Sequence, residues 1–125
     1  MAGERILVVD DEADIIELLR DILVGEGFVV DVAAEANAAL TLIRENIYDL
    51  AILDFNLPDM DGVMLHHQIR QMDEELASRT IFMSGLVQSD ENLGYYTSHS
   101  AGFLAKPFDI ADVLRDVRDV LAEKP

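Results

Sequence analysis

Two adjacent carboxylates, Asp10 and Asp11, follow the apolar run "ILVV" without a break, and a third, Asp54, closes the run "LAIL". Ser84 and Gly85 close "TIFM", and Lys106 closes "GFLA". Like charges raise one another's pKa values, so three neighbouring carboxylates stay ionised together only around a cation. Hard oxygen donors of this kind suit Mg²⁺ or, less selectively, Mn²⁺. Lys106 adds a compact positive charge and Ser84 a donor hydroxyl, both suited to the oxygens of a phosphoryl group. Gly85 has no side chain to block its backbone N–H from such an oxygen. Asp54 is then the candidate nucleophile, attacking phosphorus in line to give an acyl phosphate.

This chemistry requires distant residues to meet. Apolar runs at 5–10, 49–54, 79–84 and 102–105, with a less continuous one at 28–33, predict five strands. Unbroken rather than alternating hydrophobicity fits strands covered on both faces, as in a parallel sheet between helices. Helices are predicted over 12–25, 36–46, 62–73, 89–99 and 109–122. Their apolar stripes run through Ile15, Leu18, Leu19, Ile22 and Leu23, then Ala36, Ala39, Leu40 and Ile43. Leu65, Ile69 and Met72 form a third stripe, and Ile110, Val113, Leu114, Val117, Val120 and Leu121 the last and strongest. Asp61 and Asp109 stand where helix N-caps belong. The 89–99 segment, with Gly94 inside it, has the least intrinsic helical strength.

Right-handed crossovers bring the carboxyl ends of parallel strands to one rim, where ligands bind in such sheets. Asp10, Asp11, Asp54, Ser84 and Lys106 are therefore expected in one mouth. Singly, an acid after a strand is more often a helix cap and a lysine more often a surface residue. Four strand ends carrying complementary chemistry outweigh those separate readings. Glu12 is expected in the first helical turn, favouring the helix dipole rather than the metal.

The 125 residues amount to one domain, 1–125, and contain no cysteine, which removes disulfide frameworks and thiolate metal sites. Nine Lys and Arg against 25 Asp and Glu give a formal charge of −16. That surface repels nucleic acid and anionic membranes, so direct contact with either is not expected. The apolar runs fall far short of the roughly 20 residues that cross a bilayer. With no basic, apolar leader at the start, a cytoplasmic location is expected.

The segments "VVDDE", "LDFNLPDMDG", "MSG" and "FLAKPF", in this order and spacing, make the chain resemble the receiver domain of two-component response regulators over essentially its whole length. The resemblance implies a flavodoxin-like doubly wound (βα)5 fold with a five-stranded parallel sheet of order 2-1-3-4-5. It implies that Asp54 is the phosphoacceptor and that Asp10 and Asp11 hold Mg²⁺ with Asp54 and the backbone carbonyl of Asn56. The Asn56 and Leu86 side chains occupy positions that tune the lifetime of the phosphoryl group. Leu86 cannot orient a hydrolytic water, so a long-lived phosphoryl state is expected. Ser84 and Phe103 match the switch hydroxyl and switch aromatic, and Lys106-Pro107 matches a cis peptide bond. The implied partners are a sensor histidine kinase or histidine phosphotransfer protein and, downstream, a protein partner or an attached output domain. They would be engaged through the face formed by the 89–99 segment, the last strand and the last helix, where the family also forms homodimers. His66, His67 and His99 form no metal set and are read as structural or surface residues; His99 stands where receivers commonly carry glycine.

Three other functions remain as alternatives. An aspartate-nucleophile phosphatase would carry a second acid at position 56, where Asn56 stands. A flavodoxin-like electron carrier would need a Ser, Thr and Gly-rich phosphate loop after the first strand, where this chain has acids. A pseudo-receiver would bind proteins without phosphorylation, yet every residue of the phosphoryl site is present. No metabolite-converting enzyme is expected.

Overall fold

The computed structural model describes residues 3–85 and 101–122. Along them run β1 (Arg5–Val9), α1 (Ala13–Gly25), β2 (Val29–Ala33), α2 (Ala36–Glu45), β3 (Leu50–Asp54) and α3 (Gly62–Met72). They are followed by α4 (Glu74–Ser78), β4 (Thr80–Ser84), β5 (Gly102–Ala105) and α5 (Ile110–Ala122). The helix expected at 89–99, with Leu86 and His99, lies outside the described residues. All strands are parallel, in the order β2-β1-β3-β4-β5.

The unbroken hydrophobicity of β1, β3 and β4 has the cause expected of it, whereas β5, at the edge of the sheet, buries only Leu104. Ile6 and Val8 of β1, Leu50 and Ile52 of β3, and Ile81 and Met83 of β4 pack with Leu19 and Leu23 of α1 and Val113, Val117 and Val120 of α5. Leu7, Val9, Ala51, Leu53 and Phe82 alternate with them, packing with α2, α3 and α4 on the other face. Successive strand side chains point to opposite faces, so a strand buried on both sides is apolar along its middle, and the polar residues of β3 and β4, Asp54, Thr80 and Ser84, stand at the strand ends.

Two features depart from expectation. The helix Glu74–Ser78 was not predicted, being too short for an apolar period. Asp73 caps it through Leu76 N–H, and His66 of α3, fully buried, meets the Ala77 carbonyl at 2.8 Å and so donates from Nε2. The apolar stripes are also narrower than the sequence suggests: Leu18, Met72 and Ile110 are substantially exposed. Asp61 and Asp109 do cap their helices, accepting from Met64 N–H and Asp112 N–H at 2.8 and 2.9 Å.

Candidate functional site

Strand register assembles the site. Val9 pairs with Leu53, so Asp10 and Asp54, each one residue on, emerge side by side. Ser84 pairs with Ala105, so Lys106 emerges one residue beyond Ser84. Asp10, Asp54 and Lys106 also continue the alternation of Val8, Ile52 and Leu104, all of which belong to the core beneath α1 and α5. Register and two-residue periodicity together aim these three side chains at one spot.

The distances agree. Lys106 Nζ donates to Asp10 Oδ2 at 2.8 Å, to Glu12 Oε1 at 3.0 Å and to Asp54 Oδ2 at 3.4 Å. Asp10 is fully buried and Asp54 nearly so, while the Lys106 stem is largely covered. Asp10 Oδ1 accepts from Glu12 N–H at 2.8 Å, and Asp54 Oδ1 from Asn56 N–H at 3.3 Å. Above them opens a cavity of about 360 Å³ lined by Asp11, Glu12, Asp54, Asn56, Gly85 and Lys106. Ser84 is buried at the end of β4. The Lys106-Pro107 bond is cis.

Burial pushes the Asp54 carboxyl up to about 6, with the Asp10 charge adding to it, against the pull of the Lys106 ammonium and the Asn56 N–H. Burial pulls the Lys106 ammonium down, yet hydrogen bonds to Asp10 and Glu12 and the charges of Asp10 and Asp54 outweigh it, leaving the group above the ordinary lysine range. One ammonium shared among three carboxylates leaves excess negative charge in a covered place. Carboxylate oxygens of Asp10, Glu12 and Asp54 lie within 4.8 Å of one another. These hard oxygen donors, with a surplus of charge to neutralise, fit a divalent cation such as Mg²⁺.

Glu12 does more here than the helix-dipole role expected of it. It occupies the N-cap position of α1 without a side-chain capping bond, because its carboxylate turns to Lys106 instead. Nothing local in the sequence distinguishes the two uses; the lysine arrives from 94 positions away. Asp11 is exposed and lines the cavity, outside the set of converging oxygens. Phe103, at 40% exposure on the edge strand β5, holds its ring outside the core that packs Leu104.

A doubly wound parallel sheet with acids and a lysine at its carboxyl rim defines a flavodoxin-like domain built for a cation and a phosphoryl group. The chain belongs to the response regulator receiver domain family, whose model matches residues 6–118. It is 34% identical over 120 residues to chemotaxis protein CheY of Bacillus subtilis, covering 95% of this chain and 98% of that protein. A CheY-like receiver domain protein from Methanospirillum hungatei superposes with TM-score 0.89 at 28% identity, covering 98% of this chain and 96% of that one. The response regulator TrrA of Thermotoga maritima, solved in complex with Mg²⁺-BeF, superposes with TM-score 0.81 at 29% identity, covering 94% of this chain and 98% of that one. Among the described residues no helix is long and apolar enough to cross a membrane.

Proposed function

We propose that residues 1–125 act as one receiver unit in which Asp54 accepts a phosphoryl group from a partner's phosphohistidine. The observation that carries this is the convergence of Asp10, Asp54 and Lys106 on one covered spot. An Asp54 oxygen bonds to phosphorus as the phosphorus–nitrogen bond breaks, its electron pair returning to the imidazole of the donor. Lys106 holds the Asp54 carboxylate from one side and is placed to take charge from a phosphoryl oxygen. Gly85, lining the cavity without a side chain, leaves its N–H accessible to another. Asp10, Asp11, Asp54 and the Asn56 carbonyl would hold Mg²⁺, which when bound neutralises charge developing on the phosphoryl oxygens.

The donor is a sensor histidine kinase or a histidine phosphotransfer protein, and the location is the cytoplasm. Ser84 and Phe103 transmit the change to the face made by β5 and α5. Exposed Phe103 and Ile110 give that face apolar surface for a downstream protein, an attached output domain or a second copy of the chain. Leu86, with no polar group for a hydrolytic water, makes the phosphoryl state long-lived, and Leu86→Glu is expected to shorten it.

Incubation with acetyl phosphate and Mg²⁺, followed by intact-mass measurement, tests the central claim. A phosphoryl increment present in the native protein and absent from Asp54→Asn is expected. Binding of beryllofluoride without any phosphoryl uptake, or uptake undiminished in Asp54→Asn, would refute it.

A further inference from the structure

Helix α2 lacks a cap of its own. Glu35 has the extended backbone of an N-cap residue (φ −151°, ψ 164°), but its side chain makes no capping bond and the first turn holds no acid. The first two amides are instead satisfied from another loop. Ala36 N–H donates to Asp59 Oδ1 and Asn37 N–H to Asp59 Oδ2, each at 2.9 Å. Ala36 is fully buried, so solvent is a poor substitute for that acceptor. The two N–H groups hold the Asp59 carboxyl below the usual carboxylate range.

Asp59 sits at the tip of the loop that leaves the Asp54 strand. The base of this loop is closed by Gly62 N–H donating to the Phe55 carbonyl at 2.7 Å and by the antiparallel bridge between Asn56 and Asp61. At the same base, Asn56 donates its N–H to Asp54 and lines the cavity. The loop is therefore fastened at both ends of its height: to the site through Asn56 and to α2 through Asp59, three residues apart.

We propose that Asp59 is a positioning residue for the phosphoryl reaction, its two-oxygen grip on the start of α2 fixing the loop that presents Asn56 to the Asp54 pocket. The proposal rests on Asp54 being the phosphoacceptor. A purely structural cap would support α2 and leave the pocket unaffected, and the two roles separate experimentally. Asp59→Ala removes the grip on α2. Glu35→Asp gives α2 a local cap, because Asp at that extended position can accept from the amides of Asn37 or Ala38, though not from that of Ala36. The Mg²⁺ requirement for phosphoryl uptake from acetyl phosphate reports on the pocket, and thermal unfolding reports on the helix.

Asp59→Ala is expected to lower the melting temperature and to raise the Mg²⁺ concentration for half-maximal uptake roughly tenfold, the scale of defects in groups that orient metal ligands. The double variant Glu35→Asp/Asp59→Ala is expected to regain part of the lost stability while keeping the raised Mg²⁺ requirement, and it carries the measurement if the single variant unfolds. A native Mg²⁺ requirement in either variant, measured where the protein is folded, overturns the proposal. If the unmodified protein takes up no phosphoryl group, the phosphoacceptor reading fails and this inference falls with it.

Discussion

The Lys106 ammonium donates at 2.8 Å to Asp10, a fully buried carboxylate 96 positions earlier in the chain. This pair ties the end of the edge strand β5 to the end of the interior strand β1 across the mouth of the sheet. It also fixes the sign of the local electrostatics, since Lys106 is the cation that Asp10, Glu12 and Asp54 share.

Replacing Lys106 by Met should leave Asp10 and Asp54 facing each other with their charges uncompensated. Removing one partner of a buried pair destabilises by roughly 3–5 kcal/mol, and a value near the lower end is expected because the cavity is open to water. The raised ammonium pKa means that this support is fully present below the ordinary lysine range and is lost only as pH rises above it. Urea unfolding of Lys106→Met in EDTA, then with saturating Mg²⁺, should show a large loss and a recovery greater than the native protein gains. Equal Mg²⁺ gains in the two proteins would contradict the shared-charge account.

Asp54 predicts a pH signature without metal. Its carboxyl is raised from 3.8 to about 6, so the fold favours the protonated form. The associated stability is fully present below about pH 4 and disappears as pH rises through about 6. Asp54→Asn does not titrate, so in EDTA its melting temperature should match that of the native protein near pH 4 and exceed it by several degrees at pH 7.5. That gap corresponds to on the order of 2 kcal/mol. A gap independent of pH would show that desolvation of this carboxylate is not the cause.

Gly62 should tolerate no side chain. A Cβ there would lie 2.9 Å from Phe55 Cα and 3.1 Å from the Asp54 carbonyl, both backbone atoms at the base of the loop. Gly62→Ala is expected to destabilise by about 2 kcal/mol. Because the displaced atoms belong to Asp54 and its neighbour, phosphoryl uptake should slow as well. Unchanged melting and uptake would mean that the loop base yields more freely than its hydrogen bonds suggest.

Tyr48 offers a control at the opposite rim. Its hydroxyl donates to Asp31 at 2.6 Å, and Arg5, which also donates to Asp31, lies over its ring. Burial first, then this hydrogen bond, hold the phenol above the ordinary tyrosine range. Its contribution is therefore present below about pH 10 and declines above that. Tyr48→Phe should lower stability by about 1 kcal/mol at pH 8, less at pH 11, and leave phosphoryl uptake unchanged. Impaired uptake would reveal a connection across the sheet that the packing does not suggest.

The strands, the burial of β1, β3 and β4 on both faces and the chemistry at the strand ends are written locally. "ILVVDD" and "LAILD" each state, within a few residues, where the apolar run ends and charge begins. Parallel strands then carry Asp10, Asp54 and Lys106 to one rim with little further information, and the motif spacing identifies the family. The helix Glu74–Ser78 was not legible, because five residues are too few for an apolar period to emerge. Likewise Leu18 and Ile110 fit their stripes by spacing alone, while their exposure depends on which neighbours reach that far around each helix.

Glu12 and Asp59 mark the same divide more sharply. In sequence, Glu12 is one more acid before a helix and Asp59 a turn residue after Pro58. In the fold, one meets a lysine 94 positions away and the other caps a helix 22 and 23 positions back. Periodicity and strand ends are properties of a short stretch of chain and survive in one dimension. The partner of a carboxylate depends on register, crossover and the approach of separate elements, and those exist only once the chain has packed.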